Sequence, residues 1–234
     1  MAATVTTRSG PPAVWQTTVG KKVLMAVTGV ILVLFVLAHE IGNLKVFIGA
    51  GEINTYADGL RRLLVPIFPR TWVLWGIRSV LIAAFVVHIA LSVQLSLRNR
   101  AARQQRYVHT GRVQADPAST TMRWGGVAIL LFLIFHLAHF TWGWVHPGYT
   151  YVRGDVYGNM VNGFNVWWIS AIYIAAMVAL ALHIYHGAWS IWQTFGVNNR
   201  RRDLAFRQLA GAIAAIVFLG NISMPIAVMA GLIH

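Results

Sequence analysis

The chain has 234 residues, of which 57% are hydrophobic and 11% charged, with a formal net charge of +13 and no cysteine. A soluble domain of this length carries about 25% charged residues, so the composition is that of a membrane protein. The missing cysteines exclude disulfides, thiolate metal sites and iron–sulfur ligation within this chain, and any iron–sulfur centre belongs to a partner.

Residues 1–20 are too polar, and too interrupted by Gly10, Pro11 and Pro12, for the apolar core of a signal peptide. They read as a short cytoplasmic tail ahead of a single transmembrane domain over 21–234. Crossing the hydrocarbon core takes about 20 mainly apolar residues, and five stretches meet that length: 23–48, 72–97, 124–145, 166–195 and 207–233. The fold class is therefore all-α, a bundle of five transmembrane helices. Loops are expected at 49–70, with Pro66 and Pro69, at 98–123, with Asp116 and Pro117, at 146–165, with Pro147 and four glycines, and at 198–203.

Orientation follows from the basic residues. One side carries thirteen: Arg8, Lys21, Lys22, Arg98, Arg100, Arg103, Arg106, Arg112, Arg123, Arg200, Arg201, Arg202 and Arg207. The other carries five, namely Lys45, Arg61, Arg62, Arg70 and Arg153, while Arg78 falls inside a span. This bias puts the N-terminus in the cytoplasm and, after five crossings, His234 outside. Topology alone accounts for the positive charge, so nucleic acid is not needed to explain it. The cytoplasmic face remains a basic platform, suited to an acidic soluble partner or to anionic headgroups.

Six of nine histidines fall within spans: His39 in the first, His88 in the second, His136 and His139 in the third, His183 and His186 in the fourth. An ionisable group in a bilayer costs about 2.5–3.5 kcal/mol even on the translocon scale, and such groups mark functional sites. Four imidazoles from four helices, without thiolate and almost without carboxylate, suit haem. The porphyrin supplies four ligands and the protein two axial ones, so four histidines make two bis-imidazole haems that carry electrons. A mononuclear zinc or iron site is the weaker reading, since it gathers three or four ligands at one point, usually with a carboxylate or cysteine. The one acid inside a span, Glu40, is turned about 100° from His39.

At about 1.5 Å per residue from the cytoplasmic end of each span, His39 stands at about 24 Å, His136 and His183 at about 18 Å, and His88 at about 14 Å. The haems are thus stacked across the membrane, but the tie between His136 and His183 leaves the pairs unassigned. H-x-x-H recurs in FHLAHF and LHIYHG. The second members, His139 and His186, flank the porphyrin, bond a propionate or are satisfied by a neighbouring group; spacing does not decide among these. Gly29, Gly42, Gly125, Gly126 and Gly187 permit close approach of a flat ring or of another helix. Trp142, Trp144, Trp167 and Trp168 have the placement of an interfacial aromatic belt.

GKKVLMAVTG (20–29), AHEIGNLKVF (38–47), VVHIALSVQLSLRNRAAR (86–103), RWGGVAILLFLIFHLAHF (123–140) and LHIYHGAWSIWQTFG (182–196) occur in this order. Together they resemble the five-helix dihaem cytochrome b subunit that anchors succinate:quinone oxidoreductase, respiratory complex II, in the cytoplasmic membrane. The resemblance implies two haems b with axial ligands His39 (in H-x-x-G-N, with Asn43), His88, His136 and His183. It implies the pairs His39–His136 for the outer haem and His88–His183 for the inner. It also implies a flavoprotein subunit holding FAD, an iron–sulfur subunit on the cytoplasmic face, and a membrane quinone, usually menaquinone, as electron acceptor.

Quinone reduction needs protons, for which Glu52 and Asp58 in the stretch EINTYADGLRRLL are the outer candidates; they are equally well explained as solvated loop charges. That stretch also has the pattern of an interfacial helix. Competing readings are the haem subunit of a formate dehydrogenase or hydrogenase, and a haem-free membrane protein that uses its histidines as a proton relay.

Overall fold

Each of the five apolar stretches becomes a long helix. The computed structural model describes residues 14–102 and 117–234. Arg8, Arg103, Arg106, Arg112 and Asp116, and most of the expected tail, lie outside the described residues.

After a short 3-10 turn at Val14–Gln16, helix α1 (Thr18–Asn43) begins where the Thr17 hydroxyl accepts the Gly20 N–H at 2.9 Å. This cap satisfies one of the orphan donors of a helix start, and it sets the start of the helix ahead of the boundary expected from hydropathy. A 3-10 turn (Leu44–Phe47) leads into α2 (Ala50–Arg61), so EINTYADGLRRLL is largely helical. Then come α3 (Trp72–Ala101), α4 (Pro117–His136) with a π-helical continuation (Leu137–Thr141), α5 (Val156–Asn165), α6 (Trp167–Thr194) and α7 (Asp203–Met229). There is no strand among the described residues. Five of these segments are long and apolar enough to cross a membrane: Thr18–Phe47, Trp72–Ala101, Thr121–Thr141, Trp167–Thr194 and Asp203–Met229. Leu34, Val86, Leu131, Ile216 and Leu219 are exposed along them, as helices facing hydrocarbon require.

Helix α5 departs from the sequence expectation, which made 146–165 a loop because of its glycines and Pro147. Tertiary capping overrides that punctuation. Asp155 accepts the Gly158 N–H at 3.0 Å, while Asn54 of α2 accepts the Val156 and Tyr157 N–H groups at 2.8 and 3.1 Å and donates to Asp155 at 3.0 Å. The buried face of α5 then contributes Met160, Val161 and Phe164 to a core shared with Val46, Ile53, Ile169, Tyr173, Met224 and Val228.

Helix α6 packs against α4, α7 and α1, and α1 packs against α3. Lys21 and Gln94 join α1 to α3 by a hydrogen bond, and Arg98 donates to the Gln16 carbonyl at 3.2 Å from each of two nitrogens. Gly42 admits the Tyr56 ring of α2, since a Cβ there would stand 2.6 Å from it. At Gly220 of α7 a Cβ would overlap the Glu40 carboxylate, which is 3% exposed and turned toward α7. Gly220→Ala is expected to destabilise the protein by about 1–3 kcal/mol through overpacking, measured as a fall in the thermal midpoint of the purified protein. An unchanged midpoint would show that α1 and α7 are not held at this distance.

Candidate functional site

Four helices carry the histidines that the sequence singles out, and the bundle brings them together in twos. His39 near the end of α1 and His136 at the end of α4 have ring centroids 5.9 Å apart and perpendicular planes. His88 of α3 and His183 of α6 have centroids 6.3 Å apart at 63°. The pairs sit at two levels, because His39 and His136 lie at the α2/α5 end while His88 and His183 lie well along their helices from it. The apparent tie in depth between His136 and His183 disappears here, since α4 begins at Pro117, earlier than the expected span, so His136 stands further along its helix.

Imidazole nitrogens bind metals at about 2.0–2.1 Å; two rings on opposite sides of one ion therefore have centroids about 6.3 Å apart. Both pairs are close to that separation. One ring of each pair also has its outward nitrogen engaged. His88 Nδ1 lies 3.2 Å from the Thr28 hydroxyl and His136 Nδ1 lies 3.2 Å from the Tyr173 hydroxyl, which leaves Nε2 of each for a ligand. The buried Nδ1 of His183 has no hydrogen-bond partner among the described residues. His39 is exposed and His88, His136 and His183 are half-buried, so neighbouring side chains do not close over the rings. Among the described residues no three His, Cys, Asp or Glu side chains converge as a metal site. The donors stand two by two, which suits a macrocycle that brings four nitrogens of its own.

No family model, curated protein or solved structure matches the chain.

His139 has a different environment from the four. It is 0% exposed, with Nδ1 2.9 Å from the Tyr173 hydroxyl and Nε2 2.9 Å from the Tyr149 hydroxyl. Gly163 of α5 makes room for it, because a Cβ there would stand 2.6 Å from Nε2. Of the roles open to His139, the structure places it among neighbouring groups that satisfy both nitrogens. The π-helical turn contributes to this arrangement: its i→i+5 bond from Trp142 N–H to Leu137 O, 2.8 Å, underwinds the chain just after His136. Burial, and then neighbouring Tyr151, push the Tyr149 phenol up to about 12, so its hydroxyl stays protonated at neutral pH. Sequence reasoning missed Tyr149 and Tyr173. The usable signal was Tyr173 itself, since a buried hydroxyl within a membrane helix requires a partner.

His186 lies edge-on to Trp189, 5.9 Å between centroids, and belongs to neither pair. Asn43 ends α1, half-buried. Gly29 faces His88 and Gly126 faces His183 at ordinary contact distance, whereas Gly187 faces open space. Glu52 pairs with Lys45 at 3.6 Å, and Asp58 pairs with Arg62 at 2.6 Å and with Arg70. These two acids are half- to mostly exposed in surface ion pairs. Trp142, Trp144 and Trp167 are exposed, but Trp168 packs against the core.

Proposed function

We propose that this chain is the haem b membrane-anchor subunit of a succinate:quinone oxidoreductase, in the cytoplasmic membrane with its N-terminus inside. The observation that carries the reading is the pairing of His39 with His136 and His88 with His183, each near the separation of two imidazoles on one ion. A bis-imidazole haem supplies one-electron transfer with no open coordination position. His39 and His136 would hold the outer haem, His88 and His183 the inner. Thr28 and Tyr173 orient one ring of each pair.

The end of the bundle that carries Lys21, Arg98, Arg123 and Arg200–Arg202 is the basic side, and it suits docking of an iron–sulfur subunit with its flavoprotein. Electrons would then leave at the opposite side to a quinone of the menaquinone type. The experiment is a dithionite-reduced minus oxidised spectrum of the purified complex with pyridine haemochrome quantitation. Two haems b per chain are expected. A folded preparation with none would overturn the reading in favour of a haem-free proton relay, and two haems without a flavinylated partner would move the chain to another quinone-linked oxidoreductase.

A further inference from the structure

Beyond the two pairs, a chain of polar groups, buried at Tyr173 and His139 and half-buried at its ends, leads from the site to a loop. It runs from His136 Nδ1 to the Tyr173 hydroxyl (3.2 Å), on to His139 Nδ1 (2.9 Å), and from His139 Nε2 to the Tyr149 hydroxyl (2.9 Å). Phe132, Phe135, Phe140 and Phe164 pack around Tyr173 with ring centroids 5.0–6.1 Å away. Hydrogen bonds so enclosed are strong, and leaving one unmade is costly.

The direction of the chain is set at its first member. A histidine that gives Nε2 to a metal carries its hydrogen on Nδ1, so His136 donates to the Tyr173 oxygen. The Tyr173 O–H then donates to His139 Nδ1, and neutral His139 donates from Nε2 to the Tyr149 oxygen. The reverse direction needs the hydrogen of His136 on Nε2, which ligation forbids. An acceptor on Nδ1–H raises the basicity of a ligating imidazole and fixes its plane.

We propose that Tyr173 is the positioning residue of the His136 ligand, and that His139 and Tyr149 hold Tyr173 in its accepting orientation, so that one haem responds to a residue in the loop. This rests on the haem reading above. His139 is on this account a link in the chain rather than a ligand or a propionate partner.

The test uses the assembled complex with Tyr173→Phe and Tyr149→Phe, read by redox titration of each haem and by the low-spin ferric electron paramagnetic resonance signals. Tyr173→Phe removes the acceptor, so the oxidised form loses stabilisation. The potential of one haem rises and its g-max value shifts, while the other haem stays at its wild-type values. Tyr149→Phe moves the same haem in the same direction by a smaller amount. Unchanged potentials and signals in a Tyr173→Phe complex that retains both haems would overturn the proposal, as would equal shifts in both. Should Tyr173→Phe not assemble, Tyr149→Phe decides alone: a shift in one haem supports the chain and no shift overturns it. Wild-type complex without haem would overturn the function itself, whereas two haems that ignore both tyrosines would overturn only the chain.

Discussion

On the haem reading proposed above, replacing His39 or His136 with alanine is expected to halve the haem content, from two per chain to one, with both substitutions removing the same haem. His88→Ala and His183→Ala remove the other. The expectation follows from the ring separations of 5.9 Å and 6.3 Å within the pairs. Two residues that act on one ion are not additive. The double variant of His39 and His136 therefore loses no more haem than either single variant, while combining His39→Ala with His88→Ala loses both. Because these rings are exposed or half-buried, their truncation leaves little of the packing defect that a sealed core residue would leave. Haemochrome content and reduced-minus-oxidised spectra of the purified variants read the result. His39→Ala and His136→Ala variants that each lose a different haem would refute the pairing.

Asn54→Ala is expected to cost about 2 kcal/mol or more, a large effect for one polar residue on a loop-side helix. Its amide accepts two N–H groups at the start of α5 and donates to the Asp155 carboxylate, which itself caps Gly158. A lost N-cap costs about 1 kcal/mol, and part-buried donors left unmade add to it. Since α5 carries Gly163 against His139, loosening it also loosens the tyrosine chain. A thermal midpoint several degrees lower, with increased proteolysis within 142–165, is the expected observation. Asn54→Asp, which keeps the acceptor but sets a second carboxylate beside Asp155, should fall between the two. A wild-type midpoint for Asn54→Ala would mean that α5 does not depend on α2.

The five crossings were legible because continuous apolar length is a strong, local signal, and so were the four paired histidines, because imidazoles in hydrocarbon are conspicuous. Which histidine faces which was not legible from depth, for counting along a span depends on where the helix starts, and α4 starts earlier than its apolar stretch. Helix α5 was hidden because its stability comes from Asn54, about a hundred residues away, while its own glycines read as breakers. The chain through Tyr173 was hidden for a related reason. His139 and Tyr173 lie on different helices, and the π turn that follows His136 has no signature in hydrophobic periodicity. What tertiary contact decides, a local pattern cannot supply.

Helix α3 touches the rest of the bundle mainly along α1, with slight contact to α2. Yet His88 reaches across to His183 on α6, a helix that α3 does not otherwise meet closely. On the haem reading proposed above, a group held between those two rings would be a cross-link that fastens α3 to the α6 side, and its binding energy would add to bundle stability by linkage. In preparations made without haem, amide exchange is then expected to be fastest along α3 while α6 and α7 keep their protection.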